Sequence, residues 1–232
     1  VFDKATFPRD KTCGDGLTAL ALRMLEQLDF DPSVVESWNY VADIYVSGPN
    51  GHQIHLPMPS ADQGRFAAVA TRLDLDAALV DLARKEGAHL VEGSTLVDAT
   101  EDDAGVLLTI ADDNGAQREL RARWVVAADG MWSPTRRALG VSEPGYRGEW
   151  HAFRQYLSDV GERAASELHV YFEADLLPGY FWSFPMQIDG KAMRNLGVYD
   201  SRIVDDAPLA GSLKGFLADE LARNGVRLED CK

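Results

Sequence analysis

Apolar positions along this chain recur with two different periods. In residues 17–28, Leu17, Leu20, Ala21, Met24 and Leu28 fall at helical spacing, which predicts a helix from about Gly16 with that set as its buried face. Residues 40–56, YVADIYVSGPNGHQIHL, place two alternating stretches around GPNG, a strong turn signal, and predict a hairpin. FAAVATR, residues 66–72, reads as a strand. A second helix follows from about Asp74, with Leu75, Ala78, Leu79, Leu82 and Ala83 on one face and Gly87 as its stop.

Three strand segments come next: HLVEG with STLVDATED, then GVLLTIAD, then RELRARWVVAADG. The turns DDA and DDNG between the last two connections are too short for helices, so these segments predict an antiparallel meander. WVVAA, residues 124–128, is continuously apolar and predicts a strand buried on both faces. A short helix is expected from Ser133 to Leu139. Beyond Gly140 the pattern becomes aromatic-rich strands near 150–158, 167–173, 180–188 and 192–199, closed by a helix on Leu209, Leu213, Phe216, Leu217 and Leu221. VFDK, at the start, reads as the end of a strand. The fold class is therefore α/β (α+β), in two domains: residues 1–39 with 68–145, and residues 40–67 with 146–232.

Composition narrows the partners. The 232 residues are 46% hydrophobic, enough for a substantial core. A formal charge of -14, from 37 acidic and 23 basic residues with no Lys/Arg cluster, argues against nucleic acid. The two cysteines, Cys13 and Cys231, stand at opposite ends, which is no disulfide framework and suits a reducing cytoplasm. No apolar run approaches the roughly 20 residues that span a bilayer, and no signal peptide precedes the first charges. A cytoplasmic protein is expected, with peripheral membrane contact left open.

Three stretches carry candidate chemistry. In CGDG, Cys13 to Gly16, two bare residues at a helix start would let backbone N–H groups approach an anion, although a tight turn with Asp15 as a cap explains the same residues. Cys13 itself reads either as an acid or nucleophile near a helix start or as a small packed side chain. VVAADGMWSPTRRALG, residues 125–140, puts Asp129 and Gly130 at the carboxyl edge of a sheet, where α/β folds bind ligands, and ATR at 70–72 ends a strand in the same manner. In PGYFWSFP, Tyr180, Trp182 and Phe184 alternate and form an aromatic wall, which serves either as core or as a surface for a long apolar substrate. His52 and His55 are three apart on an expected strand and point to opposite faces, so no metal site is expected.

Taken together these motifs resemble the geranylgeranyl reductase family of FAD-dependent oxidoreductases, within the superfamily that includes the aromatic-ring hydroxylases. The resemblance implies a partial FAD-binding, Rossmann-like domain and a β-sheet substrate domain. It makes Asp3 the acid that holds the adenosine ribose, and PRDKTCGDGL, with Arg9, Cys13, Gly14, Asp15 and Gly16, a signature loop beside the flavin. RLDLDAALVDLARKEGAHLVEG is similar to the arginine-headed helix and strand along the cofactor, placing Arg72 near the FAD phosphates and Val97 near the adenine. AADGMWSPTRRALG looks like the Asp-Gly motif, with Asp129 and Gly130, and YFWSFP followed by RNLGVY resembles the segment lining a prenyl pocket, with Tyr180, Trp182, Phe184 and Pro185. Two family features are absent: the Gly-x-Gly-x-x-Gly turn about 20 residues before Asp3, with its βαβ unit, and the Gly-Asp motif after the substrate domain. The chain is therefore expected to be an internal piece of a longer flavoprotein.

The resemblance implies saturation of carbon–carbon double bonds in an isoprenoid chain, of a geranylgeranyl group or a prenyl quinone or lipid. FAD is the implied cofactor and NADPH a candidate electron donor, with Cys13 the leading proton donor and Tyr180 the second. The alternatives are a flavin monooxygenase acting on an aromatic or polyketide substrate and a non-catalytic module that binds lipid or protein.

Overall fold

The computed structural model describes residues 1–59, 64, 67–146, 148, 150–158, 166–200, 214–215, 217–219, 221–222, 227 and 229. In chain order the elements begin with β1 (Gly16–Thr18), α1 (Ala19–Gln27), β2 (Asn39–Tyr40), β3 (Asp43–Ser47), β4 (Gln53–Pro57) and β5 (Ala67–Val69). Helix α2 (Arg72–Lys85) leads to β6 (Ser94–Asp102), β7 (Gly105–Asp112), β8 (Gln117–Ala122) and α3 (Pro134–Ala138). The strands β9 (His151–Leu157), β10 (Glu167–Tyr171), β11 (Tyr180–Ile188) and β12 (Lys191–Asp200) complete the series. Of the closing helix, Leu209, Leu213 and Phe216 lie outside the described residues, while Leu217 and Leu221 are buried and cluster with Leu157.

The chain divides into two compact units. The first comprises Val1–Arg9 and Val80–Gly148. Its sheet is the antiparallel meander β6-β7-β8. Alternation along GVLLTIAD turns Val106, Leu108 and Ile110 to one side, where they bury with Ala99 and collect Phe2, Leu96, Val125, Ala138 and Leu139. The opening VFDK makes a parallel bridge, Phe2 to Val91, with Asp3 N donating to Val91 O at 3.1 Å and Ser94 N to Asp3 O at 2.9 Å.

The WVVAA expectation needs correction. Residues 124–128 form no strand, and they are buried on one side only: Val125 joins the core, whereas Trp124 and Val126 are 86% and 89% exposed. Continuous apolarity produces burial on both faces only when something lies over the second face, and among the described residues nothing does.

The second unit comprises Asp10–Leu79 and Glu149–Lys232. It holds a small antiparallel sheet, β1-β5-β2, and a six-stranded sheet, β4-β3-β10-β11-β12-β9, in which only the β3 and β10 pairing is parallel. Strand alternation sorts β11 cleanly. Tyr180, Trp182, Phe184 and Met186 face one side, with Tyr199, Gly197 and Asn195 opposite the first three on β12, and Tyr156 and Arg154 beyond them on β9. Phe181 and Val198 face the other side and bury with Leu176. Met186 packs with Val41, Val69 and Leu168, joining the aromatic face to both sheets.

Helix α1 departs from expectation at its start and on its face. It begins at Ala19 because residues 16–18 are already paired as β1, and Thr18 caps it, accepting from Ala21 N at 3.4 Å. Leu22 is the buried residue at 4% exposure, while Leu20, Met24 and Leu28 are 68%, 57% and 57% exposed. Two positions along a helix are about 200° of rotation, so once β1 pairing turns Leu22 inward, its i−2 and i+2 neighbours turn outward.

Candidate functional site

In the second unit, the loop of residues 13–16 lies on the aromatic face of the six-stranded sheet. A Cβ on Gly14 would stand 3.5 Å from the Trp182 ring, and one on Gly16 would stand 2.9 Å from Phe184 Cε2. Gly16 thus admits the Phe184 ring, whereas a Cβ on Gly14 would make only ordinary contact with Trp182. The loop also enters strand β1, so it is not at the start of a helix and has no helix dipole behind it. Trp182 is itself accommodated by Gly197, where any side chain would run into the indole.

Polar bonds fix the loop where shape has placed it. Asn195, with no exposed surface, accepts from Trp182 Nε1 at 2.9 Å through its Oδ1. Its Nδ2 donates to Cys13 O at 3.0 Å and to Asp15 Oδ2 at 2.9 Å. The Tyr156 hydroxyl donates to the same Asp15 oxygen at 2.7 Å. Asp15 O in turn accepts from Ala70 N at 3.1 Å, tying the loop to β5. Asp15 has φ +61° and is 2% exposed. Its Oδ1 is buried and has no hydrogen-bond partner among the described residues.

That environment favours the protonated acid. Burial raises the Asp15 pKa, and the hydrogen bonds from Tyr156 and Asn195 and the charge of Arg154 offset only part of the rise. Arg154 does not reach the carboxyl: its Nη2 is 2.6 Å from Asp10 Oδ1, and its guanidinium lies 4.0 Å above the Tyr156 ring. Burial and then the hydrogen bond to Asp15 push the Tyr156 phenol upward as well.

Arg72 opens α2 and is half-buried. Its Nε and Nη2 bind Asp76 Oδ1 and Oδ2 at 2.7 and 2.8 Å, a bidentate pair one turn apart. Burial pulls its pKa down, but Asp76 and the side chain of Cys13 outweigh that and raise it, so the guanidinium stays charged. Cys13 is a half-buried free thiol.

Tyr180 and Phe184 are half-buried, whereas Trp182 is 4% exposed. Tyr180 stacks on Tyr199 at 5.7 Å, and burial followed by the Tyr199 neighbour raises its phenol pKa. Pro185 is fully buried and, in register with Arg194, faces the opposite side of the sheet from the wall. Close by in the same unit, a cavity of about 270 Å³ is lined by Asp10, Ser37, Thr71, Asp74, Tyr156 and Asp189 among others. Tyr156 therefore touches this cavity and Asp15 together.

The first unit carries the remaining candidates. Asp129 Oδ2 accepts from Thr135 N at 2.9 Å at the start of α3. Its slight burial is outweighed by hydrogen bonds from Ser133 and Thr135, which hold its pKa below the usual carboxylate range. Gly130 has φ +80° and open space where a Cβ would be, so its bare backbone faces room for a ligand. That exposed carboxylate and uncovered backbone fit a group held partly by main chain. Asp3 caps Ala5 N at 2.8 Å, Arg9 stacks over Phe7 at 4.9 Å, and Val97 is 49% exposed at a bulge in β6.

Asn195, Tyr156 and Arg154 are the residues that reading the sequence missed. Asn195 stands inside RNLGVY, yet its role depends on a cross-strand register that sequence does not carry. A polar asparagine inside an expected strand, between Arg194 and Leu196, was the one available signal.

The motifs of both units belong to one class of protein, the flavin-binding domains. The family model described as FAD binding domain matches residues 12–176, and the chain belongs to that family. It is 32% identical over 211 residues to menaquinone reductase of Mycobacterium tuberculosis, across 85% of this chain and 48% of that protein. It is 28% identical over 204 residues to digeranylgeranylglycerophospholipid reductase 2 of Methanopyrus kandleri, across 85% of this chain and 48% of that protein. The chain spans about half the length of these curated relatives. Its fold is that of a geranylgeranyl bacteriochlorophyll reductase-like protein from Thermoplasma acidophilum, with TM-score 0.79, 24% identity, and 100% of this chain and 56% of the other covered. It is shared with PqsL of Pseudomonas aeruginosa, a probable FAD-dependent monooxygenase, with TM-score 0.68, 17% identity, and 96% and 59% covered.

Proposed function

We propose that this chain is part of a FAD-dependent reductase that saturates carbon–carbon double bonds in an isoprenoid chain carried by a quinone or lipid. One observation carries the reading: the Cys13 loop is seated on Trp182 and Phe184 and tied to Trp182 through Asn195. A thiol and an apolar wall, the two groups such a reaction asks of the protein, therefore belong to one folded unit.

Bound FAD in its reduced form would supply the hydride. In the first unit, Asp3, Arg9, Val97, Asp129 and Gly130 are the residues assigned to hold FAD. In the second, they are Cys13, Gly14, Asp15, Gly16 and Arg72. NADPH is the proposed electron donor. Residues 1–39 and 68–145 are assigned to cofactor binding, and residues 40–67 and 146–232 to substrate.

The remaining chemistry is the chain's own. Cys13, half-buried beside the Arg72 guanidinium, is the proposed acid for the second alkene carbon, and Tyr180 is the other candidate. Tyr180 and Phe184 offer the accessible part of the wall to an apolar chain, with Trp182 behind the loop and Pro185 backing the sheet.

The test is anaerobic reduction of a prenyl quinone or prenyl lipid by the full-length protein, read by mass spectrometry as two hydrogens gained per double bond. Cys13→Ser should lower the rate. An unchanged rate would remove Cys13 from the mechanism, and an oxygen-dependent hydroxylated product would replace the reductase reading with a monooxygenase.

A further inference from the structure

Asp15 is a buried carboxyl with two unlike oxygens. Oδ2 is saturated by the Tyr156 hydroxyl and the Asn195 amide, both donors, at 2.7 and 2.9 Å. Oδ1 is buried and unpartnered among the described residues. An ionised carboxylate would leave an acceptor and part of its charge in that buried position, a costly arrangement, whereas a proton on Oδ1 removes the charge altogether. Of the charged neighbours, Arg154 favours ionisation but is held on Asp10 and on the Tyr156 ring, and the negative charge of Asp10 opposes ionisation.

Tyr156 donates to Asp15 and is also one of the residues lining the 270 Å³ cavity, so a single residue borders both that space and a carboxyl 2% exposed. On its other side the carboxyl belongs to the same four-residue turn as Cys13, and Asn195 bonds both Asp15 Oδ2 and Cys13 O.

We propose that Asp15 is the proton store of this site, refilled from the cavity through the Tyr156 hydroxyl. The proposal rests on the reductase reading, in which each double bond saturated consumes one proton. In the cycle, Asp15 Oδ1 gives up its proton to replace the one the site has delivered. The Tyr156 hydroxyl proton then passes to Asp15 Oδ2 while a solvent proton from the cavity replaces it on the phenol oxygen, and exchange of the acid proton between the two carboxyl oxygens restores the proton on Oδ1. One proton enters for each one consumed, and no electrons move. Asp15 is thus a positioning and supplying residue that acts through the group touching the alkene.

The experiment uses the full-length protein. Infrared difference titration, with Asp15→Asn as the reference, should show a protonated-carboxyl band at pH 7 that is absent from the variant. In steady-state reduction of a prenyl quinone, Asp15→Asn and Tyr156→Phe should each lower kcat about tenfold or more with KM little changed. Tyr156→Phe should also shift the fall of kcat with rising pH to lower pH. An Asp15 already ionised at pH 7, or a Tyr156→Phe enzyme with wild-type kcat and pH profile, overturns the proposal and leaves the reductase reading intact. A wild-type protein that reduces no prenyl chain overturns that reading, and the proton role with it, whatever the infrared shows.

Discussion

The indole of Trp182 occupies the space where a side chain on Gly197 would stand, directly across the β11 and β12 pairing. Gly197→Ala must therefore push Trp182 toward the Cys13 loop. Overpacking of this kind costs roughly 1–3 kcal/mol. Urea denaturation should show that loss, and Trp182 fluorescence should shift, because the ring cannot keep its place.

Asn195 holds three groups, Trp182 Nε1, Cys13 O and Asp15 Oδ2, the last shared with the Tyr156 hydroxyl. Asn195→Ala should destabilise by roughly 1–3 kcal/mol, the cost of leaving buried polar groups unpaired. It should also free the loop, and Cys13 should then react faster with a thiol reagent than in the parent.

Asp15 makes stability depend on pH in an uncommon direction. Its pKa is raised by burial, so between the ordinary carboxylate range and that raised value the folded form binds more protons than the unfolded form. Stability from this group is complete below the unfolded value and falls as pH rises through the folded one. The difference in unfolding free energy between the parent and Asp15→Asn should decline across that window and flatten above it, measured by urea denaturation at a series of pH values.

Trp182 and Tyr180 should separate folding from substrate contact. Trp182 is buried under the loop, and Trp182→Ala should cost roughly 3–5 kcal/mol, as aromatic truncations in cores do. Tyr180 is half-buried beside Tyr199. Tyr180→Ala should cost less in thermal melting and should raise KM for a long prenyl chain more than for a short one.

Arg72 is the cationic candidate for the cofactor phosphates, already held in a bidentate pair with Asp76. Arg72→Ala in the full-length protein should weaken FAD about tenfold or more, read by flavin fluorescence, because a charge-assisted hydrogen bond of roughly 1.5–3 kcal/mol is lost. Arg72→Lys should recover only part, since an ammonium cannot form the planar fork.

The sequence by itself determined the elements and the motifs. Alternation in YFWSFP put Tyr180, Trp182 and Phe184 on one face, and short turns made β6, β7 and β8 a meander, because a strand's period of two and the length of a turn are local properties. Cys13, Arg72 and Asp129 were singled out by their places in a glycine loop and at strand ends and by the resemblance to a known family. Tertiary structure decided what each motif is used for. Pairing of β1 with β5 turned Leu22 inward and exposed Leu20, Met24 and Leu28, reversing the face that helical spacing had marked. The register of β12 against β11 and β9 brought Asn195 and Tyr156 to Asp15, made Gly197 the seat of Trp182, and turned the glycines of the Cys13 loop toward aromatic rings. Periodicity states which side chains share a face, but only long-range pairing states what that face meets.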